Sequence, residues 1–274
     1  MAGTGPVGSL LREWRQRRRM SQLELALGAE VSARHVSFIE TGRSVPSRGM
    51  LLHLAQRLEV PLRERNALLL AAGYAPAFRE RPLSDPALDA ARQAVERVLA
   101  AHEPYPALAV DRHWSLLASN QAAGRLLAGV SPALLQPPVN VLRLSLHPDG
   151  VAPRIANLAE WRGHLLARLG HQVDLTADPV LLDLMDELRA YPAPEGGEHD
   201  KAGLEADHSS VLVPLRLVTP AGTLSFISTT TVFGTPIEIT LSELALETFF
   251  PADAVTLAAL RGLAEAARSG PPPG

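Results

Sequence analysis

The sequence has no cysteine, which excludes a disulfide framework and any thiolate metal site and suits a reducing cytoplasm. Lysine is nearly missing as well: of 26 basic residues only Lys201 is lysine, so arginine carries the positive charge. Aromatic residues make up only 4%. No apolar stretch approaches the roughly 20 residues of a membrane span, and none follows the opening M-A-G-T-G-P. The expectation is a soluble, cytoplasmic chain with no membrane partner. No G-x-S-x-G and no P-loop occurs, and nothing pairs a nucleophile with a base. His164, His171, His199 and His208 lack the close spacing on one helix face that metal ligands need. Neither an enzyme, a metal site nor a known cofactor is expected.

What is present is enough for a packed core, with 46% apolar residues, and a length of 274 suggests two domains at roughly 100 to 200 residues each. The net charge of -3 conceals a division. Residues 1–81 hold 13 arginines against 7 glutamates, a balance of +6, while the remainder holds 13 basic and 22 acidic residues, a balance of -9. A basic N-terminal part can exchange the counterions condensed on a nucleic-acid duplex for its arginines; the acidic part is repelled by phosphate.

The stretch from Met20 to Ser47 reads as two short helices joined by a tight turn. Ser21 and Ser32 stand where each helix needs a cap. On the first helix Leu23, Ala26 and Leu27 form one stripe, with Ala26 at the helix approach. On the second, Val36 and Ile39 point inward, and Ala33, Arg34, Ser37 and Phe38 form an outward arc. The pattern S-Q-x-x-L-A, then V-S-x-R-H-x-S-F-x-E-x-G-R-x-x-P-S, resembles the helix-turn-helix of the phage-repressor (XRE) family of DNA-binding proteins. That resemblance implies double-stranded operator DNA as a partner. It assigns Gln22 to a phosphate, turns Ala33, Arg34, Ser37 and Phe38 towards the major groove, and lays Arg43 and Ser47 on the backbone, with Ser32 at the same helix start. Arg34 is the residue whose planar fork suits guanine O6 and N7. His35 fits a structural role and a phosphate contact equally, and an ordinary solvated face is the alternative for Arg34 and His35 together. Many relatives have glycine at the turn where this chain has Glu30.

Around the motif, Leu10, Leu11 and Trp14 form the apolar side of a first helix, with Arg12, Arg15, Arg17, Arg18 and Arg19 on its other side, either solvated or turned to phosphates. Ser47 caps a fourth helix, carrying Met50, Leu51, Leu54, Ala55 and Leu58, and Pro61 opens a fifth that ends at Gly73. The organisation expected is a five-helix domain over 1–78, a linker over 79–86, a second domain over 87–267 and a disordered tail over 268–274. Asp85 caps the next helix, with Leu88, Ala91, Val95, Val98 and Leu99 on one side, a connecting rod or simply a packed element.

The second domain begins with a hairpin, Leu108 and Val110 facing Trp114, Leu116 and Ala118. Helices follow at Gln121–Leu127, Val141–His147 after an Asn140 cap, Ile155–Leu169 and Val180–Ala190, then a polar loop over Tyr191–Asp207. Three strands close the pattern, the last running from Pro236 with a bulge between Leu241 and Leu244. Asp253 caps a final helix. Two strands, a helical block and three strands is the order of a PAS-like sensor, an antiparallel sheet covered by helices over one face; the whole is therefore α+β. The segments H-W-S-L-L-A-S-N, N-V-L-R-L-S-L-H-P-D-G, N-L-A-E-W and L-x-L-E-T-F-F-P-A-D are similar to the MmyB-like ligand-binding domain. That likeness implies an unidentified small-molecule effector held between sheet and helices. Trp114, Trp161, Phe226, Phe233 and Phe249 are candidate ligand contacts for which core packing is the other reading. Asn140 and His147 complete the set, although capping and loop structure also account for them. The function expected is a transcription regulator, a homodimer on operator DNA, tuned by the effector; a DNA-anchored enzyme and a protein-docking domain are the alternatives.

Overall fold

The computed structural model describes residues 6–192, 212–234 and 236–269. His199, His208 and Lys201, most of the expected loop over Tyr191–Asp207 and the last five residues of the expected tail lie outside them. By its contacts the chain divides into two compact units: Met1–Pro82 with Asp174–Thr176 and Thr235–Ser242, and Leu83–Val173 with Ala177–Gly234 and Glu243–Gly274.

The first unit holds α1 (Pro6–Arg17), α2 (Gln22–Gly28), α3 (Ala33–Glu40), α4 (Arg48–Arg57) and α5 (Leu62–Ala71). Every one of them gives apolar side chains to one core, including Leu11 and Trp14, Leu25 and Ala26, Val36 and Ile39, Leu51, Leu54 and Leu58, and Leu68 and Leu69. The serine caps form: Ser21 Oγ accepts from the Glu24 amide at 3.1 Å while Glu24 reaches back to the Ser21 amide, and Ser32 and Ser47 accept from the amides of His35 and Met50. The stripe expected on α2 needs correction. Leu25 and Ala26 are buried, whereas Leu23 and Leu27 are 60% and 71% exposed. Seven residues make only two turns, and the inward side runs through Gln22, Leu25, Ala26 and Ala29, at the spacing i, i+3, i+4, i+7.

Glu30 does adopt the left-handed backbone that the turn demands, with φ of 54°, a conformation costing a non-glycine residue on the order of 1 kcal/mol. Gly8 is required for a different reason. A Cβ there would lie 2.4 Å from the carbonyl oxygen of Ile39 and 2.9 Å from that of Glu40, so α1 and α3 cross with backbone against backbone. Gly8→Ala is expected to lower stability by about 1–2 kcal/mol, overpacking outweighing the helix propensity gained. Urea unfolding of the full chain measures it, and an unchanged midpoint would mean that the helices part freely.

The same unit takes in the segment around α11 (Ile239–Ser242). Its start pairs with residue 79, the Ile239 amide donating to the Arg79 carbonyl at 2.9 Å, and the Thr240 hydroxyl donates to the Arg81 carbonyl.

The second unit opens with a short 3-10 turn at Pro86–Leu88, capped by Asp85 as expected, which leads into α6 (Asp89–Ala101). Val95 and Leu99 of this helix are buried, but Val98 is 44% exposed and leaves the expected stripe. The strands are β1 (Ala107–Val110), β2 (Leu116–Ser119), β3 (Leu215–Thr219), β4 (Gly222–Val232) and β5 (Ala245–Pro251), in the antiparallel order β2-β1-β5-β4-β3. Between and after them run α7 (Gln121–Leu126), α8 (Val141–Leu146), α9 (Leu158–Thr176), α10 (Pro179–Ala190) and α12 (Ala254–Ser269). Period-2 alternation divides the sheet. Val110, Leu217, Leu224 and Phe226 join the core under α8 to α10, while Ala107, Ala109 and Leu246 meet Val95 and Leu99 of α6 on the opposite side. Helices thus pack against both faces rather than the one expected, because the small apolar side chains of Ala107 and Ala109 with Leu246 give α6 a surface to cover.

Several boundaries differ from the sequence reading. α9 starts at Leu158, after a 3-10 turn at Ala152–Arg154, and runs seven residues past Leu169. The expected bulge in the last strand is the helical turn α11, so β5 begins only at Ala245. The closing helix, whose cap is Asp253, continues into the first residues of the expected tail.

Candidate functional site: an exposed arginine face and an apolar cavity

In the first unit, α3 carries the face singled out from sequence. Val36 and Ile39 are buried and Arg34 is exposed, with Ser37 and Phe38 half-buried between them. Ala33 is drawn in against the edge of the core, so it belongs less to the outward arc than its spacing suggested. Phe38 acts as a shelf: the guanidinium of Arg34 lies 5.1 Å from its ring centroid and that of Arg43 lies 5.9 Å away. The Phe38 carbonyl meanwhile accepts from the amides of Arg43 and Ser44, which fixes the turn that brings Arg43 back beside α3. Two cations are therefore held on one aromatic ring. His35 is half-buried, and its amide is tied to the Ser32 cap.

A buried polar cluster anchors this helix from behind. Glu40 is 3% exposed and takes both ends of the Arg15 fork, at 2.6 and 2.9 Å, while Arg15 also donates to the Met20 carbonyl. The bond to Glu40 holds the Arg15 guanidinium above its ordinary pKa. Gln22 donates its amide to the same carboxylate at 2.9 Å. The phosphate-facing reading of the α1 arginines therefore fails for Arg15. Arg18 is also engaged, donating to the Leu58 and Glu59 carbonyls with its guanidinium 5.4 Å from the Trp14 ring. Arg12, Arg17 and Arg19 remain exposed.

In the second unit a cavity of about 140 Å³ opens between the sheet and α8–α9. Of the candidate ligand contacts, Trp114, Trp161, Phe226 and Phe249 line it. Asn140, His147 and Phe233 do not. Asn140 caps α8 through the amides of Leu142 and Arg143 and donates to the His113 carbonyl. His147 takes the Asp149 amide on Nδ1 and sets its ring edge-on to Tyr191. Phe233 packs on the α6 side of the sheet. Trp114 reaches the cavity from the turn rather than from a strand, at φ of 65°. That turn is tied by Asp111, which accepts from the amides of His113 and Ser115. Each indole has a partner: Trp114 donates to Gln172 at 2.8 Å and Trp161 to the Ser145 hydroxyl at 3.0 Å.

Sequence reasoning missed the polar end of this cavity. Arg168 from α9 and Glu247 from β5 line it as a two-pronged ion pair, the carboxylate side chain only 5% exposed. Thr230 joins both partners, and the guanidinium lies 4.6 Å from the Trp114 ring centroid. A signal existed: Trp161, Leu165 and Arg168 share a helix side, and Glu247 and Phe249 alternate on one strand face. Beside the wall, His164 stacks on Trp161 with ring centres 5.4 Å apart. Burial, reinforced by the charge of Arg168, lowers its pKa. On α10, Glu187 is paired with Arg143 and accepts from the Tyr191 hydroxyl at 2.6 Å.

A capped helix-turn-helix presenting an exposed arginine pair, together with a cavity-bearing sheet, defines a class, that of DNA-binding transcription regulators with a ligand-binding domain. The comparisons with known families give it the same place. Residues 6–68 match a helix-turn-helix domain, and residues 91–263 match the MmyB-like transcription regulator ligand binding domain. That second match covers more than half of the chain, and the protein belongs to this family. No curated protein matches it. Among solved structures, one described as "Structure of an RNA-binding Light-Oxygen-Voltage Receptor" matches over 95% of this chain at 12% identity and a TM-score of 0.25; this chain covers 63% of that one, less than two thirds of its length. Among the described residues no helix is long and apolar enough to cross a membrane, and no group of three or more histidines and carboxylates could hold a metal ion.

Proposed function

We propose that this transcription regulator binds operator DNA as a homodimer and that a small molecule in the cavity of the second unit modulates that binding. The observation that carries the proposal is the cavity of about 140 Å³, walled by aromatic and aliphatic side chains with a few convergent polar groups, in a chain whose other unit exposes Arg34 and Arg43. Arg34 reads a base edge; Arg43 and Ser47 hold the backbone, and Gln22 and Ser32 flank them at the helix starts. Two equal half-sites about 34–36 Å apart are the consequence for a dimer. The effector acts by differential affinity for two states of the chain. The relay includes α6 and the β4–β5 connection, since the chain leaves β4, contributes residues 235–242 to the first unit and returns as β5.

Selection of binding sites from random duplexes, followed by anisotropy titrations on the chosen site, tests this. The expected result is a palindromic site whose affinity changes at least about fivefold, a typical coupling, in the presence of a compound shown by native mass spectrometry to bind the chain. Affinity indifferent to every compound so bound would refute the coupling and leave only a DNA-binding protein.

A further inference from the structure

The geometry points to an uncharged, compact aromatic effector bearing one hydroxyl or N–H group, selected against acids and amines of the same size by the Arg168–Glu247 pair. This rests on the reading of the cavity as the effector site. Size comes first. An apolar cavity of about 150 Å³ in a protein interior holds a benzene ring, so about 140 Å³ sets the occupant at roughly six to ten non-hydrogen atoms. The walls favour a flat molecule, because two indoles and two phenyl rings line the space, Phe226 and Phe249 edge to face.

Charge decides the rest. The cavity's cation and anion neutralise one another: Glu247 takes both prongs of Arg168, Thr230 bonds to each, and Trp114 covers the guanidinium face. An incoming carboxylate would have to displace Glu247 from Arg168 and leave one of two anions without a partner in a desolvated site. An incoming ammonium meets the reverse problem with Arg168. A neutral hydroxyl meets neither. It can accept a remaining guanidinium N–H, donate to a remaining lone pair of Glu247, or bond to Ser145, Ser119 or Ser228, which are also among the residues lining the cavity. The two indole N–H groups are already engaged and add no charge preference.

Three probes of matched shape test this on the full chain at pH 7: 4-ethylphenol, 4-methylbenzoate and 4-methylbenzylamine, titrated by calorimetry and by tryptophan fluorescence. The phenol is expected to bind at least tenfold more tightly than either charged probe. In Glu247→Gln, which frees Arg168, its advantage over the benzoate is expected to shrink at least tenfold or reverse. The wild-type ranking decides the matter by itself should that variant not fold. A benzoate that binds the wild-type chain as tightly as the phenol overturns the charge selection and leaves the effector site standing. Failure of all three probes to bind overturns both the ligand class and the cavity as the effector site.

Discussion

Glu40→Ala is expected to destabilise the helix-turn-helix unit by about 3–5 kcal/mol. The carboxylate is the hub of a non-local cluster: it accepts two bonds from Arg15 on α1 and one from Gln22 on α2, and its side chain is 1% exposed. Removing it strands a guanidinium whose side chain is only 11% exposed, and an uncompensated buried charge costs more than the pair ever contributed. For a unit of this size the unfolding midpoint falls by roughly 15–30 °C, read by calorimetry on the full chain. The double variant Arg15→Met with Glu40→Leu is expected to regain most of the loss, since it removes both charges and keeps the volume. A single variant that melts within a degree or two of the wild type would mean that water, not protein, surrounds the pair.

Arg34→Glu is expected to weaken operator binding at least about 100-fold at 0.15 M salt, because a bidentate base contact alone accounts for roughly 5–150-fold and reversal adds repulsion from phosphate. Arg34→Ala separates the two effects. It is expected to relax preference at one base pair per half-site, whereas Arg43→Ala weakens all sequences alike and lowers the salt slope by about 1. The Phe38 shelf makes these arginines interdependent, since both guanidiniums lie against one ring. Anisotropy titrations over a salt series measure all three. An Arg34→Glu protein that keeps its affinity and its salt slope would remove α3 from the DNA interface.

The fold was most legible where local rules act alone. Ser21, Ser32, Ser47, Asn140, Asp85 and Asp253 all cap the helices that their side chains announce, because a cap needs only the next three residues. Glu30 was identifiable as the left-handed turn residue only through the resemblance, since many relatives have glycine there. What escaped was set at long range. A glutamate at the end of a short helix reads as solvated, and Glu40 is buried only because Arg15 comes to it from 25 residues away. Arg168 and Glu247, 79 residues apart, meet only through the fold, and neither alone marks a cavity. Asn140 and His147 lie outside the cavity lining: Asn140 caps α8 and donates to the distant His113 carbonyl, and His147 accepts the Asp149 amide. Residues 236–242 carry two isoleucines and a threonine and read as strand; instead they form a helical turn, bonded through the Ile239 amide to the Arg79 carbonyl and through the Thr240 hydroxyl to the Arg81 carbonyl.

That last segment makes the protein less modular than two family matches end to end suggest. A chimera joined at Pro82 would carry the five helices but not Ile239 and Thr240, whose amide and hydroxyl bind the carbonyls of Arg79 and Arg81. Those two acceptors would be handed back to solvent, and the piece set against α5 would stay behind with the donor. A faithful transplant has to take the β4–β5 connection with it, and so has to take the sheet that frames the cavity.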